Sequence, residues 1–147
     1  MISTTFRDFV IRCRLDAVQL HGSEPPGECW LHRNLGLTVI KAFCIDEKFD
    51  FKTLEPYKDA VDYYLFDTKT PQHGGSGKKF NWDILHGYDN SKPIFLSGGI
   101  GPDDAAGIKK LGGLNIHAVD INSRFETAPA VKDIGLLKTF FQNIRSC

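Results

Sequence analysis

The chain has 147 residues, of which 41% are hydrophobic and 24% charged, as is ordinary for one soluble globular domain with a real core. Its 18 Lys and Arg residues balance 18 Asp and Glu residues. Neither sign forms a run, which argues against a nucleic-acid or membrane-surface partner recruited by bulk charge. No apolar run approaches the roughly 20 residues that span a bilayer.

The four cysteines are widely spaced, with no CxxC pair and no histidine at the spacing of a zinc site. They are Cys13, Cys29, Cys44 and Cys147. The segment Met1–Asp8 lacks the basic-then-apolar order of a signal peptide. We therefore expect reduced thiols, a cytoplasmic location, and neither a metal site nor a cofactor.

Segments with helical periodicity alternate along the chain with short apolar segments typical of strands. The predicted helices are Ser3–Arg14, Glu28–Leu35, Phe51–Tyr57, Asn81–Leu85, Asp103–Leu111 and Asp133–Ile144. The predicted strands are Leu15–Leu20, Leu37–Phe43, Val61–Phe66, Pro93–Leu96 and Ile116–Ile121. No antiparallel hairpin signal interrupts this alternation, so the sequence predicts a parallel sheet with crossover helices.

The segment Ser97–Gly99 lies between a predicted strand and a predicted helix. Its small residues allow a phosphate to approach the backbone N–H groups. Pro102 suits the first position of the following helix, and the acidic pair Asp103–Asp104 suits the positive end of the helix dipole. The pattern is compatible with a phosphate site and equally with a tight turn that binds nothing.

Several polar residues come directly after predicted strands, where parallel α/β folds bind ligands whether the sheet is a closed barrel or open. They are His21, Asp67, Ser97–Gly99 and Asp120–Arg124. The last two groups follow the last two strands, which in a barrel is the usual position of a phosphate site.

An ordered set of short motifs gives the sequence a resemblance to a known family. The motifs are Val18–Gly22, Leu65–Asp67, Gly74–Gly77 leading to Phe80–Trp82, Leu96–Ile100, Val119–Ser123, Glu126 and Lys132–Asp133. From Leu15 to the C-terminus the chain resembles phosphoribosylanthranilate isomerase, a (β/α)₈ TIM barrel of tryptophan biosynthesis. The resemblance implies that residues 1–147 form a single incomplete barrel domain of about five βα units, corresponding to barrel strands 4–8.

The N-terminal part of the family pattern has no counterpart in this sequence. The family opens with a Lys-[Ile/Val]-Cys-Gly motif whose cysteine is the catalytic base, and a later unit supplies an arginine for the anthranilate carboxylate. We therefore expect a fragment that starts at an internal methionine, or a truncated gene product, without isomerase activity of its own. Cys44 could stand in for the base, but a small core or loop cysteine is the favoured interpretation.

The resemblance also implies a reaction and roles for individual residues. The reaction is an Amadori rearrangement, an intramolecular aldose–ketose oxidoreduction that converts N-(5'-phosphoribosyl)anthranilate to 1-(2-carboxyphenylamino)-1-deoxyribulose 5-phosphate by acid–base catalysis. Asp67 matches the general acid, and the substrate pocket is expected to include Gln19, His21, Lys41 and Asp120. The expected phosphate-binding residues are Ser97, Gly98, Gly99, Asn122, Ser123 and Arg124. The expected mobile loop contains Gly74, Gly75 and Gly77.

Alternative interpretations remain open for three of these residues, and a fourth, Lys41, has an expected partner. Asp67 could be a solvated strand-end carboxylate that caps the glycine loop, and His21 could be hydrogen-bonded inside a strand-end turn. Arg124 could contact the phosphate or cover the rim of the site, and the rim is favoured. Lys41 is expected in the inner layer of the barrel, paired with a strand carboxylate such as Asp67 or Asp120.

Two other functional classes are compatible with the pattern. One is another phosphate-binding barrel of the tryptophan pathway, such as indole-3-glycerol phosphate synthase or the tryptophan synthase α subunit. The other is a non-enzymatic, flavodoxin-like module, which would show a switch point in its strand order. If the chain is an incomplete barrel of the resembled family, we expect its ligand to be a phosphosugar. The unpaired edges at Leu15–Leu20 and Ile116–Ile121 predict aggregation, self-association or complementation by an N-terminal fragment.

Overall fold

The computed structural model describes residues 4–68 and 79–146. Its helices are α1 (Thr4–Cys13), α2 (Pro26–Asn34), α3 (Ala105–Lys110) and α4 (Ile134–Arg145). Its strands are β1 (Ala17–Leu20), β2 (Thr38–Ile45), β3 (Tyr63–Thr68), β4 (Ile94–Leu96), β5 (Ile116–Val119), β6 (Glu126–Ala128) and β7 (Val131–Lys132). Short 3₁₀ helices cover Phe51–Tyr57, Trp82–Gly87, Pro102–Asp104 and Ser123–Phe125. The loop predicted over Gly74, Gly75 and Gly77 lies outside the described residues.

Five strands form one parallel sheet in the order β1-β2-β3-β4-β5. Neighbours in the sheet are therefore neighbours in the sequence, joined by crossovers, as in a segment of a barrel wall. A doubly wound sheet requires a switch point, and this order has none, so the flavodoxin-like alternative is wrong. Within the described ranges, no helix combines the length and apolar character needed to cross a bilayer.

Several helices and 3₁₀ helices begin or end at residues that suit a helix terminus. The side chains of Asp50, Asn81 and Asp133 each accept a hydrogen bond from a backbone N–H in the first turn that follows. Gly36, at φ +84°, leads the chain out of α2 in a left-handed conformation. The segment predicted as one helix after the glycine turn begins at Pro102 as a 3₁₀ turn and continues as α3.

One face of the sheet is covered by helices and contains the core. Because paired residues of parallel strands point to the same side, the register places Phe43 beside Phe66, with Tyr64 on the same face. Phe66 is fully buried, and its ring lies 6.0 Å from that of Phe51 and 5.2 Å from that of Tyr88. We call this the helix-covered face.

The opposite face carries the candidate site residues, and we call it the site face. It includes Ala42, Leu65 and Phe95, which lie side by side in the register of β2, β3 and β4. Tyr63 belongs to the same face, with its ring 5.3 Å from Phe95 and 4.5 Å from His117. Every second residue along each strand therefore points towards the site, and the others point into the core.

A small antiparallel hairpin was not predicted from the sequence. Strands β6 and β7 pair Glu126 with Lys132 and Ala128 with Val131. The absence of a hairpin signal was a wrong prediction, because Ala130 takes the left-handed conformation (φ +64°) that glycine or asparagine usually marks. Strands of three and two residues are also too short to show a period.

The buried aromatic core predicts a large difference between two phenylalanine truncations. Phe66→Ala removes a fully buried ring and should lower the free energy of unfolding by about 3–5 kcal/mol. Phe141→Ala removes a ring that is 41% exposed and should cost about 1 kcal/mol or less. Urea denaturation of the two variants measures both values, and equal losses would contradict the assignment of the core to the helix-covered face.

Candidate active site

The carboxyl ends of the five parallel strands meet at one edge of the sheet, and polar side chains from four of them form two pairs there. His21, which follows β1, places Nε2 3.5 Å from Oδ2 of Asp67 near the end of β3. Ser97, which follows β4, donates a hydrogen bond from Oγ to Oδ2 of Asp120 after β5 at 3.0 Å. Gln19 Nε2 lies 3.4 Å from His21 Nδ1, so it supports the imidazole from the side away from Asp67.

The glycine turn after β4 lies directly against the end of β3. Gly98 and Gly99 have φ values of +93° and +65°, where L side chains are strained. A Cβ on Gly98 would come within 2.3 Å of Thr68 Oγ1 and 2.8 Å of Asp67 Oδ1. Only glycine therefore fits, and the Asp67 carboxylate is in contact with the turn.

The backbone donors around this turn differ in whether the chain already uses them. Ser97 N donates to Phe66 O at 2.9 Å, and Gly101 N donates to Asp104 Oδ2 at 2.7 Å. Within the described part of the chain, neither Gly98 N nor Gly99 N donates a hydrogen bond. Two adjacent N–H groups in a glycine turn are suited to an anion such as phosphate.

The loop after β5 is held by the β6–β7 hairpin. Lys132 Nζ donates to the backbone oxygen of Asn122 at 3.2 Å and also to its side-chain oxygen. The same ammonium group pairs with the Glu126 carboxylate, and this hydrogen bond lowers the pKa of Glu126. The sequence identified Glu126 and Lys132 only as members of a motif and did not indicate that they hold the Asn122–Ser123 loop.

Arg124, in the 3₁₀ helix Ser123–Phe125, contacts the segment that follows the glycine turn. Its side chain is exposed and packs on Gly101, where a Cβ would come within 2.9 Å of Nε. This position is two residues beyond the glycine turn, at the rim of the candidate site. Both interpretations left open by the sequence are compatible with it.

The structure contradicts the prediction for Lys41. The register pairs Lys41 with Tyr64, which places it on the helix-covered face and not in the inner layer that faces the site. Its Nζ lies 3.1 Å from Oε2 of Glu24, so the predicted pairing with Asp67 or Asp120 is wrong. Because β2 is apolar on both faces, the sequence carried no alternation from which the direction of Lys41 could be read.

Cys44 also differs from its prediction. Strand β2 continues to Ile45, so Cys44 is a strand residue, paired in register with Asp67 on the site face. It is exposed, and the interpretation as a core or loop cysteine is therefore wrong. Among residues 4–68 and 79–146, no group of three or more His, Cys, Asp or Glu side chains is arranged to hold a metal ion.

Comparisons with known proteins agree in pointing to one family. The family model "N-(5'phosphoribosyl)anthranilate (PRA) isomerase" matches residues 7–143. A protein of that name from Parabacteroides distasonis is 46% identical over 131 residues, which are 89% of this chain and 59% of the relative. Another from Phocaeicola vulgatus is 40% identical and covers 89% of this chain and 64% of the relative.

Solved structures show the same relationship in three dimensions. The phosphoribosylanthranilate isomerase of Thermus thermophilus is 27% identical with a TM-score of 0.74, over 94% of this chain and 64% of that one. Monomers of the dimeric isomerase of Thermotoga maritima are 26% identical with a TM-score of 0.75, over 97% and 66%. The chain thus spans roughly three fifths of the length of the curated relatives it matches. It belongs to the phosphoribosylanthranilate isomerase family of tryptophan biosynthesis, and its five-stranded sheet is part of that family's TIM barrel.

Proposed function

We propose that this chain provides the general acid and the phosphate-binding turn of a phosphoribosylanthranilate isomerase site. The observation that carries the proposal is the contact between the Asp67 carboxylate and Gly98, where a Cβ would lie 2.8 Å from Oδ1. A phosphosugar bound at the turn would therefore have an acid within reach of its ring. The proposed substrate is N-(5'-phosphoribosyl)anthranilate.

The phosphate end of the proposed substrate binds at the glycine turn. Gly98 N and Gly99 N have no partner in the described part of the chain, and Gly101, two residues further on, contacts Arg124 of the 3₁₀ helix Ser123–Phe125. The N–H groups and the Ser97 and Ser123 hydroxyls supply hydrogen-bond donors for phosphate oxygens. Arg124 adds positive charge at the rim of the same region.

Asp67 is the proposed acid for ring opening. Its protonated carboxyl donates a proton to the furanose ring oxygen as the bond from that oxygen to C1 breaks, and the open-chain Schiff base forms. A base then removes the C2 proton, and the resulting enolamine relaxes to the ketone. His21 holds Asp67 at this position, since its Nε2 lies 3.5 Å from Oδ2 and the side chain of Asp67 is only 23% exposed.

We propose that the base that removes the C2 proton comes from outside these 147 residues. The family's Lys-[Ile/Val]-Cys-Gly motif does not occur in the 147 residues. Cys44 lies on the site face in register with Asp67, but the family's base is the cysteine of that N-terminal motif, so we do not assign the role to Cys44. We propose that a segment carrying the family's N-terminal βα units completes the site.

Phosphate binding can be tested with two glycine variants. Titration of the chain with ribose 5-phosphate to millimolar concentrations should shift the amide resonances of Gly98, Gly99 and Ser123. Gly98→Ala should abolish these shifts, because its Cβ would collide with Thr68. Gly113→Ala should leave them unchanged, because no atom lies within 4 Å of its Cβ position. Absence of shifts in the unaltered chain would contradict the phosphate site.

The catalytic assignment can be tested by complementation. The purified chain alone should show no turnover, and mixing it with a fragment bearing the N-terminal βα units of the Parabacteroides distasonis relative should restore activity. Asp67→Asn should lower the restored kcat by about 10²- to 10⁴-fold, the usual size of a general-acid contribution. Asp103→Asn, which alters an exposed carboxylate near the same turn, is the matched control.

Two results would contradict the assignment. Turnover by the chain alone that disappears in Asp67→Asn would show that no complementary segment is needed. Restored activity that is insensitive to Asp67→Asn would remove Asp67 from the role of acid.

A further inference from the structure

The turn that carries His21 is held on the helix-covered face through both backbone polar groups of Gly22. Gly22 N donates to both carboxylate oxygens of Glu24, at 3.2 and 3.0 Å. Gly22 O accepts a hydrogen bond from Lys41 Nζ at 2.8 Å, and Leu20 O lies 3.4 Å from the same nitrogen. The backbone is therefore fixed immediately before and immediately after His21.

Lys41 carries a charged side chain at a buried position. It is only 2% exposed, and its neighbours on the helix-covered face of β2 are Val39 and Phe43. Its ammonium group is surrounded by oxygen atoms, since Ala42 O lies at 3.2 Å and Glu24 Oε2 at 3.1 Å in addition to the turn carbonyls. An apolar side chain would fill such a position at lower desolvation cost, so stability alone does not account for the pair.

Glu24 is in turn fixed and ionised. Tyr57 donates from its hydroxyl to Glu24 O at 3.0 Å, which ties the loop to the 3₁₀ helix Phe51–Tyr57. Burial alone would raise the pKa of Glu24, but the backbone N–H groups and the Lys41 ammonium outweigh it and lower the pKa below 4.5. The groups that face this pair are Cys29 and Tyr57, and burial raises the pKa of both, so both are neutral near pH 7.

The pair and the site lie on opposite faces of the same strand ends. Lys41 and Glu24 contact the turn from the helix-covered face, whereas the imidazole of His21 reaches Asp67 on the site face. His21 has to cross the end of β2 to meet Asp67, because β2 lies between β1 and β3 in the sheet. Its direction therefore depends on the backbone conformation that the pair imposes.

We propose that Lys41 and Glu24 are positioning residues, which hold the His21–Gly22 turn so that the His21 imidazole meets the Asp67 carboxylate. The proposal deepens the proposed function, on which it rests for the role of Asp67 as acid. Neither residue touches the substrate. Their effect reaches the reaction only through the direction of His21.

The test measures the coupling between His21 and Asp67 in the full chain by NMR. In the unaltered background, Asp67→Asn should move the ring resonances of His21, because an amide replaces the carboxyl group that lies 3.5 Å from Nε2. In a Lys41→Met background the same substitution should move them by about threefold less or not at all, as expected when one member of a coupled network is removed. The exposed Lys48→Met variant is the matched control and should leave the full response.

A second variant background distinguishes the loss of positioning from misfolding of the chain. Lys41→Met alone leaves Glu24 without its counter-ion, whereas Lys41→Met combined with Glu24→Gln removes both charges and should fold, with the same reduced His21 response. Retained chemical shifts of Gly98 and Gly99 report that the sheet is intact. A full His21 response to Asp67→Asn in either folded background would overturn the positioning role.

The two proposals fail separately. If ribose 5-phosphate does not shift Gly98 and Gly99 in the unaltered chain, the proposed function is contradicted, while the His21 response still decides the positioning role.

The contact of Glu24 with the His21–Gly22 turn also depends on pH. Since the pKa of Glu24 is lowered, the hold on the turn is complete above about pH 4.5 and is lost as the pH falls through the lowered pKa.

Discussion

Parallel pairing of consecutive strands is the constraint from which the candidate site follows. Each strand must return by a crossover before the next begins, so all five carboxyl ends lie at the same edge. Asp67 and the glycine turn are far apart in sequence, yet β3 and β4 are hydrogen-bonded neighbours. The contact between Gly98 and Asp67 is therefore a direct consequence of the sheet order together with the absence of a side chain at Gly98.

The two outer loops of the site are held in a similar way. At the end of β1, Lys41 binds the backbone oxygen of Gly22 and pairs with Glu24. After β5, Lys132 binds the backbone oxygen of Asn122 and pairs with Glu126. In each case a lysine ammonium joins a glutamate to a loop carbonyl, which restrains a loop that lacks sheet hydrogen bonds on one side. The central turn after β4 instead rests on the end of β3.

The parallel sheet and the clustering of polar residues at strand ends could be predicted, because apolar runs and glycine turns are local signals. The direction of Lys41 could not, because every position around it in β2 is apolar and its partner Glu24 lies in an irregular loop. The hairpin could not be predicted, because its turn at Pro129 and Ala130 contains no glycine. The motif resemblance named Asp67 and Gly98, but their contact became visible only in the folded chain.

A crystal structure of the chain with bound ribose 5-phosphate tests the central claim most directly. The account predicts phosphate oxygens within hydrogen-bond distance, about 2.7–3.2 Å, of Gly98 N and Gly99 N, with the sugar extending towards Asp67 and His21. A phosphate bound away from the glycine turn, or a sugar that points away from the Asp67 carboxylate in a well-ordered complex, would contradict it.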